Sequence, residues 1–413
     1  MRKFISWLVM GFVSMNNRGA LTISDISAVL KKVIVPTIQT QLPKESVLFD
    51  KIKKNVGVTV ANNVIYVSAR TGKHTGIYAV AEGTEPKSGK AGYAQPYTEM
   101  KYAFGTLELT DQAIEAASKA DVKAIASILT TEITALKDDF KMDLNRQFNG
   151  DGNAVLCYTT GTGGTTSTTV TLDGNVAGLD ATEYLEAGMY IDIGTSHTGV
   201  AIVSKTASTI VIAAGTAWAN DVAITKTVAA ECMGIAGLID DGDNQSTIQH
   251  ILRASYPYAN SHTYDTSTTL TEANMIATYL KTVRYGGAKV IFMNSTLYAK
   301  YGALLTSMKK TADLKEVLAG GWKGLEFSAG GGNLGVMLDF DCWDGYVQFV
   351  DFDALTIAQM SEPFSWLEAD AHGGILKRSA SNRTIWEGTL KYYLNLVALK
   401  FKSSARMKGQ TAA

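Results

Sequence analysis

The sequence predicts an α+β protein with a small all-β domain inserted into it. Three observations lead to this class: an alternating stretch broken by glycines before residue 110, a helical pattern that runs to residue 150, and an abrupt Thr/Gly-rich change of composition after it. Alternation of apolar residues is typical of strands, and a period of three to four residues is typical of helices. Strands and helices then recur around one very long helix, which favours a mixed fold.

Length and composition are those of an ordinary folded protein. The 413 residues are enough for two or three compact units, and 46% of them are apolar and 19% charged. The formal net charge is -1, which excludes a protein that binds nucleic acid through its overall charge. Basic residues nevertheless outnumber acidic ones in 1–54 and after Leu399. These ends either contact polyanions or acidic neighbours, or they are solubilising tails.

The first residues permit three interpretations. Arg2 and Lys3 precede the apolar run Phe4–Val13, as in a secretory signal peptide, but no small-x-small cleavage pattern follows. The run is such a signal, or an apolar N-terminal arm, or the product of an over-called start codon with translation beginning at Met15. It is too short to span a bilayer, which needs about 20 apolar residues, and no other stretch is a candidate. The sequence therefore predicts no membrane association.

Residues 55–109 are predicted to form a long β-hairpin. Short alternating runs such as Val64–Val67 flank a centre, EGTEPKSGKAGYAQP, whose Gly, Pro, Ser and Lys residues are typical of an exposed loop. A hairpin of this length cannot bury both of its faces within one small domain. It is therefore a candidate for contact with a neighbouring copy of the chain.

The segment 110–152 has the clearest pattern in the sequence. Thr110 and Asp111 are suited to cap a helix, and Gly150 and Gly152 are suited to end it. A helix of roughly 38 residues would be about 57 Å long, which indicates a structural spine. Apolar residues at steps of three and four share one face of it. These residues are Val122, Ile125, Leu129, Ile133, Leu136, Phe140, Leu144 and Phe148.

Residues 153–230 are predicted to be the inserted β domain. The entry YTTGTGGTTSTTVTL is followed by several short strand patterns. Cys157 and Cys232 flank the domain, so its entry and exit strands are expected to lie close together. The three cysteines are widely spaced and include no CxxC pair, which argues against a disulfide scaffold and a zinc ribbon. A regulated disulfide and two separate buried thiols both stay open for this pair.

A mixed pattern returns after residue 230. Leu270–Tyr285 and Ser295–Leu305 are predicted helices, and GAKVIFMN between them is a predicted buried strand. Further strands are expected in 324–360. The run TIWEGTLKYYLNLVALKF is predicted to be a long C-terminal strand.

The sequence contains no motif for catalysis, a cofactor or a metal. It has no P-loop, no HExxH and no GxSxG elbow, and its five histidines lack ligand spacing. Asp339, Asp341 and Asp344 resemble a calcium loop but are out of register, so two strands joined by a turn at Asp344 and Gly345 are expected instead. For the acidic stretch Asp240–Asn244, a solvated turn is favoured over a weak cation site. We therefore expect a protein that is not an enzyme and has no cofactor.

The order of these elements resembles that of the major capsid proteins of tailed bacteriophages, which have the Hong Kong 97-type fold. The resemblance rests on the hairpin that ends in KYAFGTLELTDQAIEAA and on the helix through DFKMDLNRQFNGDG. It is a pattern of elements over most of the chain, without a short invariant motif. The segments it implies are an N-terminal arm (1–54), an extended loop (55–109), the spine helix of a peripheral domain (110–152), an inserted β domain (153–230), an axial domain (231–340), and a return to the peripheral domain with a C-terminal strand (341–413).

The resemblance also implies a function and partners. Members of the family self-assemble as pentamers and hexamers into an icosahedral shell in the host cytoplasm, and in the virion the shell encloses double-stranded DNA that it contacts non-specifically. Scaffold, portal and decoration proteins would be further partners. In some members a loop lysine forms an isopeptide bond with an asparagine of the neighbouring subunit. By that likeness, the candidate inter-subunit contacts are Lys73, Lys87, Lys90 and Asn382.

Two other interpretations stay open. The signal-like start and the Thr/Gly-rich insertion also fit a secreted or surface-layer protein of the adhesin type. Encapsulin compartment shells have the same fold, although they are generally shorter and lack the insertion. Cleavage near residues 15–20 in an envelope fraction would favour the first interpretation, and a packaged enzyme in place of DNA would favour the second.

Overall fold

The structure is a computed structural model, and most of the predicted N-terminal arm lies outside the residues that it describes. The described residues are 46–52, 56–59, 63–112, 115, 122–195, 197–213, 215–227, 230–307, 325–330, 332–360, 362–367, 377–379 and 384–412.

Helices and strands alternate along the described chain, which confirms the α+β class. The helices are α1 (Val47–Ile52), α2 (Val122–Asn149), α3 (Ile235–Leu238), α4 (Glu272–Val283) and α5 (Ser295–Ser307). The strands before α2 are β1 (Val56–Thr59), β2 (Val64–Tyr66), β3 (Ala69–Arg70), β4 (Tyr93–Ala94), β5 (Tyr97–Glu99) and β6 (Lys101–Thr110). The next six are β7 (Val155–Thr159), β8 (Thr169–Asn175), β9 (Tyr190–Ile193), β10 (His197–Lys205), β11 (Thr209–Ile212) and β12 (Ala223–Thr225). The remaining strands are β13 (Thr247–Ile248), β14 (Ile251–Leu252), β15 (His262–Tyr264), β16 (Thr268–Thr269), β17 (Val290–Met293), β18 (Leu325–Ala329), β19 (Gly332–Leu338), β20 (Val347–Val350), β21 (Leu355–Gln359), β22 (Ser365–Trp366), β23 (Lys377–Arg378), β24 (Ile385–Ala398), β25 (Ala405–Met407) and β26 (Gln410–Thr411).

Helix α2 buries the predicted apolar face. Phe140, Leu144 and Phe148 are buried, and Ile133 and Leu136 are half-buried on the same side. Over its 28 described residues the helix is about 42 Å long. The predicted face is therefore confirmed from residue 133 onward, while the side chains before residue 132 lie outside the described part.

A six-stranded sheet packs against α2. Its order is β1-β21-β24-β22, and β6 and β23 also pair with β24. The predicted C-terminal strand is confirmed as β24, whose inward residues Leu390, Tyr392 and Leu394 are buried in the same core as Leu144. Strand β6 runs antiparallel to β24 through ten consecutive pairs without a bulge.

A second six-stranded sheet has the order β15-β25-β20-β17-β19-β18. Helices α4 and α5 pack on it through Met275, Tyr279 and Leu297. Both predicted helices are confirmed, and the Thr271 side chain caps α4 by accepting a hydrogen bond from the Asn274 N–H at 3.3 Å. The predicted turn before β20 is present, and Gly345 has a φ of 72° there. The strands that it joins are not neighbours, because β17 lies between β19 and β20.

Residues 155–225 form a closed barrel in the order β10-β11-β8-β7-β12-β9. The barrel has a separate hydrophobic core, in which Leu156, Leu185 and Ile224 are completely buried among barrel residues. The entry strand β7 pairs with the exit strand β12, as predicted. Cys157 and Cys232 are buried and free, and they belong to two different cores, which favours two separate buried thiols over the disulfide alternative.

Candidate assembly surfaces

The hairpin that leads into β6 is a narrow ribbon (71–92). At its base β2 pairs with β5 and β3 with β4, and the two arms then continue side by side, with the Gly72 N–H donating to the Gly92 carbonyl at 3.2 Å. A Cβ on Gly92 would lie 3.0 Å from the nitrogen of Gly72. A Cβ on Gly89 would overlap the backbone of Gly76. These glycines therefore allow the arms to lie backbone against backbone.

The ribbon is hardly covered by its own chain. From Lys73 to Ser88 every residue except Gly76 is exposed. Ile77 is 83% exposed, and Tyr78 is also exposed. Apolar surface in water costs roughly 25 cal/mol per Å², and a second molecule packed on the ribbon would recover that free energy. The ribbon is thus a candidate contact surface between molecules.

The structure places three of the four predicted contact residues on this ribbon. Lys73, Lys87 and Lys90 are exposed, and none of them forms an ion pair with the described part of the chain. Asn382 lies outside the described residues. All three lysines therefore lie on the exposed ribbon, and their pairing with Asn382 stays a prediction.

The base of the ribbon is held to the body by a turn that sequence patterns did not reveal. Gln249 and His250 join β13 to β14 with φ values of 48° and 58°, a left-handed conformation that is uncommon for residues with side chains. The Tyr97 N–H donates to the Gln249 carbonyl at 3.3 Å, and the rings of Tyr97 and His250 stack at 3.9 Å. The His250 Nε2 lies 3.7 Å from the Glu99 Oε1. These contacts fix β5 and hence one arm of the ribbon.

Charged side chains connect the barrel to α2. The Lys226 Nζ lies 2.7 Å from the Asp143 Oδ1, and the Arg146 guanidinium lies 3.1 Å from the same oxygen and also contacts Glu231. Burial would raise the pKa of Asp143, but Arg146 and Lys226 beside it hold that pKa well below its usual range. The Arg146 guanidinium also lies 5.8 Å above the ring of Tyr184 in the barrel. This side of the junction is therefore made of ion pairs.

Two buried carboxylates complete the junction. The Asn145 Nδ2 donates to Asp339 at 3.2 Å and to Asp341 at 2.5 Å. The Tyr184 hydroxyl donates to Asp341 at 2.8 Å, and the Leu48 N–H donates to Asp339 at 3.2 Å. Burial, and then the charge of Asp341, raise the pKa of Asp339 to about 6. Burial also raises the pKa of Asp341. The pair therefore joins α1, α2 and the barrel at one protonation-sensitive point.

The acidic stretch Asp240–Asn244 is only in part the solvated turn that was predicted: Asp241 and Asp243 are exposed, but Asp240 is not. Asp240 is completely buried, and its Oδ1 lies 2.6 Å from the Nη1 of the equally buried Arg406. Asp243 contacts both Arg406 and Lys408. Two of the basic residues near the C-terminus, which were expected to contact other molecules or to solubilise a tail, are thus neutralised within the chain.

No group of three or more His, Cys, Asp or Glu side chains in the described part is arranged to hold a metal ion. None of the described helices is both long enough and apolar enough to cross a membrane.

No family model matches the sequence, and no curated protein is similar enough to be counted as a relative. Solved structures, in contrast, match nearly the whole chain. A chain of the cyanophage A-1(L) capsid has a TM-score of 0.55 and 14% identity, covering 95% of this chain and 100% of that one. A chain of the native GTA particle capsid has a TM-score of 0.49, 11% identity and coverages of 96% and 100%. An encapsulin complex from Synechococcus elongatus has a TM-score of 0.45, 7% identity and coverages of 96% and 97%. The predicted resemblance to phage capsid proteins is confirmed at the level of the fold, because this chain has the fold of the cyanophage A-1(L) capsid chain.

Proposed function

We propose that this chain is the major capsid protein of a tailed bacteriophage, which self-assembles into the icosahedral head shell around double-stranded DNA. The observation that carries the proposal is the fold, which is shared with a cyanophage capsid chain over 95% of this chain. The exposed ribbon supports it, because shell subunits complete their surfaces with neighbouring copies. The protein would assemble in the host cytoplasm as pentamers and hexamers and then reside in the virion.

In this proposal the parts of the chain have the roles of the Hong Kong 97-type fold. Residues 1–54 are the N-terminal arm, 55–109 the extended loop and 110–152 the spine helix. Residues 231–340 are the axial domain, and 341–413 return to the peripheral domain. The barrel within 153–230 is an addition to this plan.

The charges of the chain bear on its contact with DNA. The formal net charge of -1 and the internal pairing of Arg406 and Lys408 support a weak, non-specific contact with DNA. Scaffold, portal and decoration proteins are proposed as further partners. Lys73, Lys87 and Lys90 are proposed as contacts to the neighbouring subunit because they share the exposed ribbon. No observation favours the adhesin-type or the encapsulin-like alternative over this proposal.

The experiment is assembly of the protein expressed alone from Met15, followed by negative-stain electron microscopy and size-exclusion chromatography. We expect closed shells or rings of five or six subunits. Ile77→Lys should lower the yield of these assemblies at least tenfold, because it charges an apolar contact on the ribbon. The matched control is Tyr190→Lys, which changes a residue 69% exposed on the barrel and should leave the yield unchanged.

A soluble monomer at high concentration, even with scaffold candidates added, would contradict the proposed function. Particles that carry a packaged enzyme in place of nuclease-protected DNA would support the encapsulin-like alternative.

A further inference from the structure

Basic side chains from two distant parts of the sequence meet around the ring of Tyr285, just after α4. The Lys402 Nζ lies 5.8 Å from the centre of this ring, and the imidazole of His262 on β15 lies 5.5 Å from it. Two exposed basic residues belong to the end of α4, and two more, one exposed and one half-buried, lie between β24 and β25. We call these four residues the basic patch: Lys281, Arg284, Lys400 and Lys402.

The basic patch concentrates positive charge at one place. Burial, and then the charges of Lys402 and Lys281, lower the pKa of His262. Ammonium groups from two separate elements therefore act on the same imidazole. Arg284 follows α4 directly, and Lys400 lies two residues before Lys402, so both flank this point.

The charge of the basic patch is not neutralised by the described part of the chain, in which none of its four cations forms an ion pair. The neighbouring Lys289 differs, because its Nζ lies 3.4 Å from the Asp353 Oδ2. A Cβ on Gly286 would lie 3.9 Å from the Asp351 Oδ2, but that residue is only 3% exposed, and its Oδ1 accepts a hydrogen bond from the Asp353 N–H at 3.2 Å. The surface therefore stays positive here, although the formal net charge of the chain is -1.

Stabilisation of α4 explains only part of the basic patch. Lys281 and Arg284 lie at the C-terminal end of the helix, where cations offset the negative end of its dipole. Lys400 and Lys402 belong to no helix. They are also the two basic residues after Leu399 that remain once Arg406 and Lys408 are paired within the chain, and their position beside α4 calls for an anionic partner.

We infer that the basic patch binds the phosphate backbone of double-stranded DNA. The inference rests on the proposed function, because it names the surface by which a shell subunit would contact the DNA that the shell encloses. A duplex presents one negative charge for about every 1.7 Å of its axis, so cations from different elements can each meet a phosphate without an exact geometry. Contacts of Lys and Arg with phosphates carry no sequence information, which agrees with non-specific binding.

The test is the binding of a fluorescently labelled DNA duplex to the unassembled fraction of the protein, measured by anisotropy between about 50 and 200 mM salt. The double variant Lys281→Gln with Lys402→Gln removes two charges and keeps a polar side chain at each position. Its affinity should fall at least tenfold at the lower salt concentration. The logarithm of the affinity falls with the logarithm of the salt concentration by about 0.9 for each phosphate that is neutralised, so this slope should become shallower by about 1.8.

The matched control is Lys141→Gln with Lys289→Gln, which changes the net charge by the same amount. The Lys141 Nζ lies 4.0 Å from the Asp50 Oδ1, and Lys289 is paired with Asp353, so both cations already have an anionic partner. The affinity of this control for DNA and its salt dependence should equal those of the unchanged protein.

A second variant, Lys281→Arg with Lys402→Arg, keeps both charges and should bind DNA as tightly as the unchanged protein. An equal loss of affinity in the Lys→Gln variant and in the control would mean that net charge attracts DNA, and it would overturn the inference. A loss that occurs only in Lys87→Gln, on the ribbon, would also overturn it. Tighter binding of poly-glutamate than of DNA would overturn it in favour of an acidic protein partner.

These outcomes also separate the inference from the proposed function. Shells that form from a protein whose DNA affinity does not depend on Lys281 and Lys402 would overturn the role of the basic patch alone. An affinity that depends on both lysines, in a protein that forms no shell, would support the basic patch and contradict the proposed function.

Discussion

The inserted barrel and the region around the ribbon and β6 differ in how much of their structure their own chain completes. The barrel closes on itself, so it has no open edge, and Leu185 and Ile224 fill its core without help from the body. The ribbon exposes Ile77, and β6 exposes Phe104, whose backbone groups have no hydrogen-bond partner in the described part of the chain. The same chain therefore contains one module that is complete alone and one surface that another copy would complete.

The junction between the barrel and α2 differs from both regions. It is neither a shared apolar core nor an exposed surface, because Asp143, Arg146 and Lys226 pair there beside the buried Asp339 and Asp341. The contribution of such ion pairs to stability depends on each buried charge having its partner, more than on the area that is buried. The barrel is thus attached to the body by interactions that respond to charge.

The largest expected effect tests whether the barrel is complete by itself. Leu185→Ala removes a fully buried side chain and should lower the unfolding free energy of the barrel by about 2–5 kcal/mol. Urea denaturation followed by hydrogen exchange in β7–β12 would measure it. The control is Val203→Ala on the outside of the barrel, which is 58% exposed and should change nothing measurable.

Assembly should be unaffected by Leu185→Ala under conditions in which the barrel stays folded. Loss of shells without any loss of barrel stability would mean that the barrel interior takes part in subunit contacts, and the comparison would fail.

The next largest effect tests whether the ribbon, unlike the barrel, is needed for contact between copies. Gly89→Ala places a methyl group onto the backbone of Gly76 and should force the two arms apart. The unfolding free energy of the body should not change, because the ribbon packs little against it, whereas the yield of shells should fall at least tenfold. Ser88→Ala, at the exposed neighbouring residue, is the control. Denaturation and electron microscopy of both variants would decide, and a full yield of shells from Gly89→Ala would contradict a contact role for the ribbon.

The sequence predicted those parts of the fold that depend on local periodicity. The apolar face of α2 and the alternation of β24 are repeated patterns, so they could be recognised without knowing what they pack against. The closeness of β7 and β12 was expected because Cys157 and Cys232 flank the insertion. Of the candidate site, the exposed ribbon and its lysines could be expected from their Gly, Pro and Lys content.

Long-range pairings could not be predicted in the same way. Arg406 meets Asp240 across more than 150 residues of sequence, and nothing in either neighbourhood marks the pair. Gln249 and His250 lack the Asn-Gly composition of a tight two-residue turn, because contacts with Tyr97 and the body stabilise their left-handed backbone. The pairing of β6 with β24 also requires knowledge of the ladder register, which the alternating pattern alone does not contain.

The smallest expected effect is the pH dependence of the junction. The pKa of Asp339 is about 6 in the folded chain and near 3.9 in an unfolded one, so the native state binds more protons between these values. Stability from this group therefore rises as the pH falls from 7 to 5, by about 1 kcal/mol, and the gain is complete below the unfolded pKa. Asp339→Asn, which does not titrate, should lose this gain, and Asp353→Asn, which replaces an exposed carboxylate, should keep it. Urea denaturation of all three proteins at pH 7 and pH 5 would measure the difference. If Asp339→Asn gains as much stability as the other two proteins, the junction does not respond to protonation at this residue.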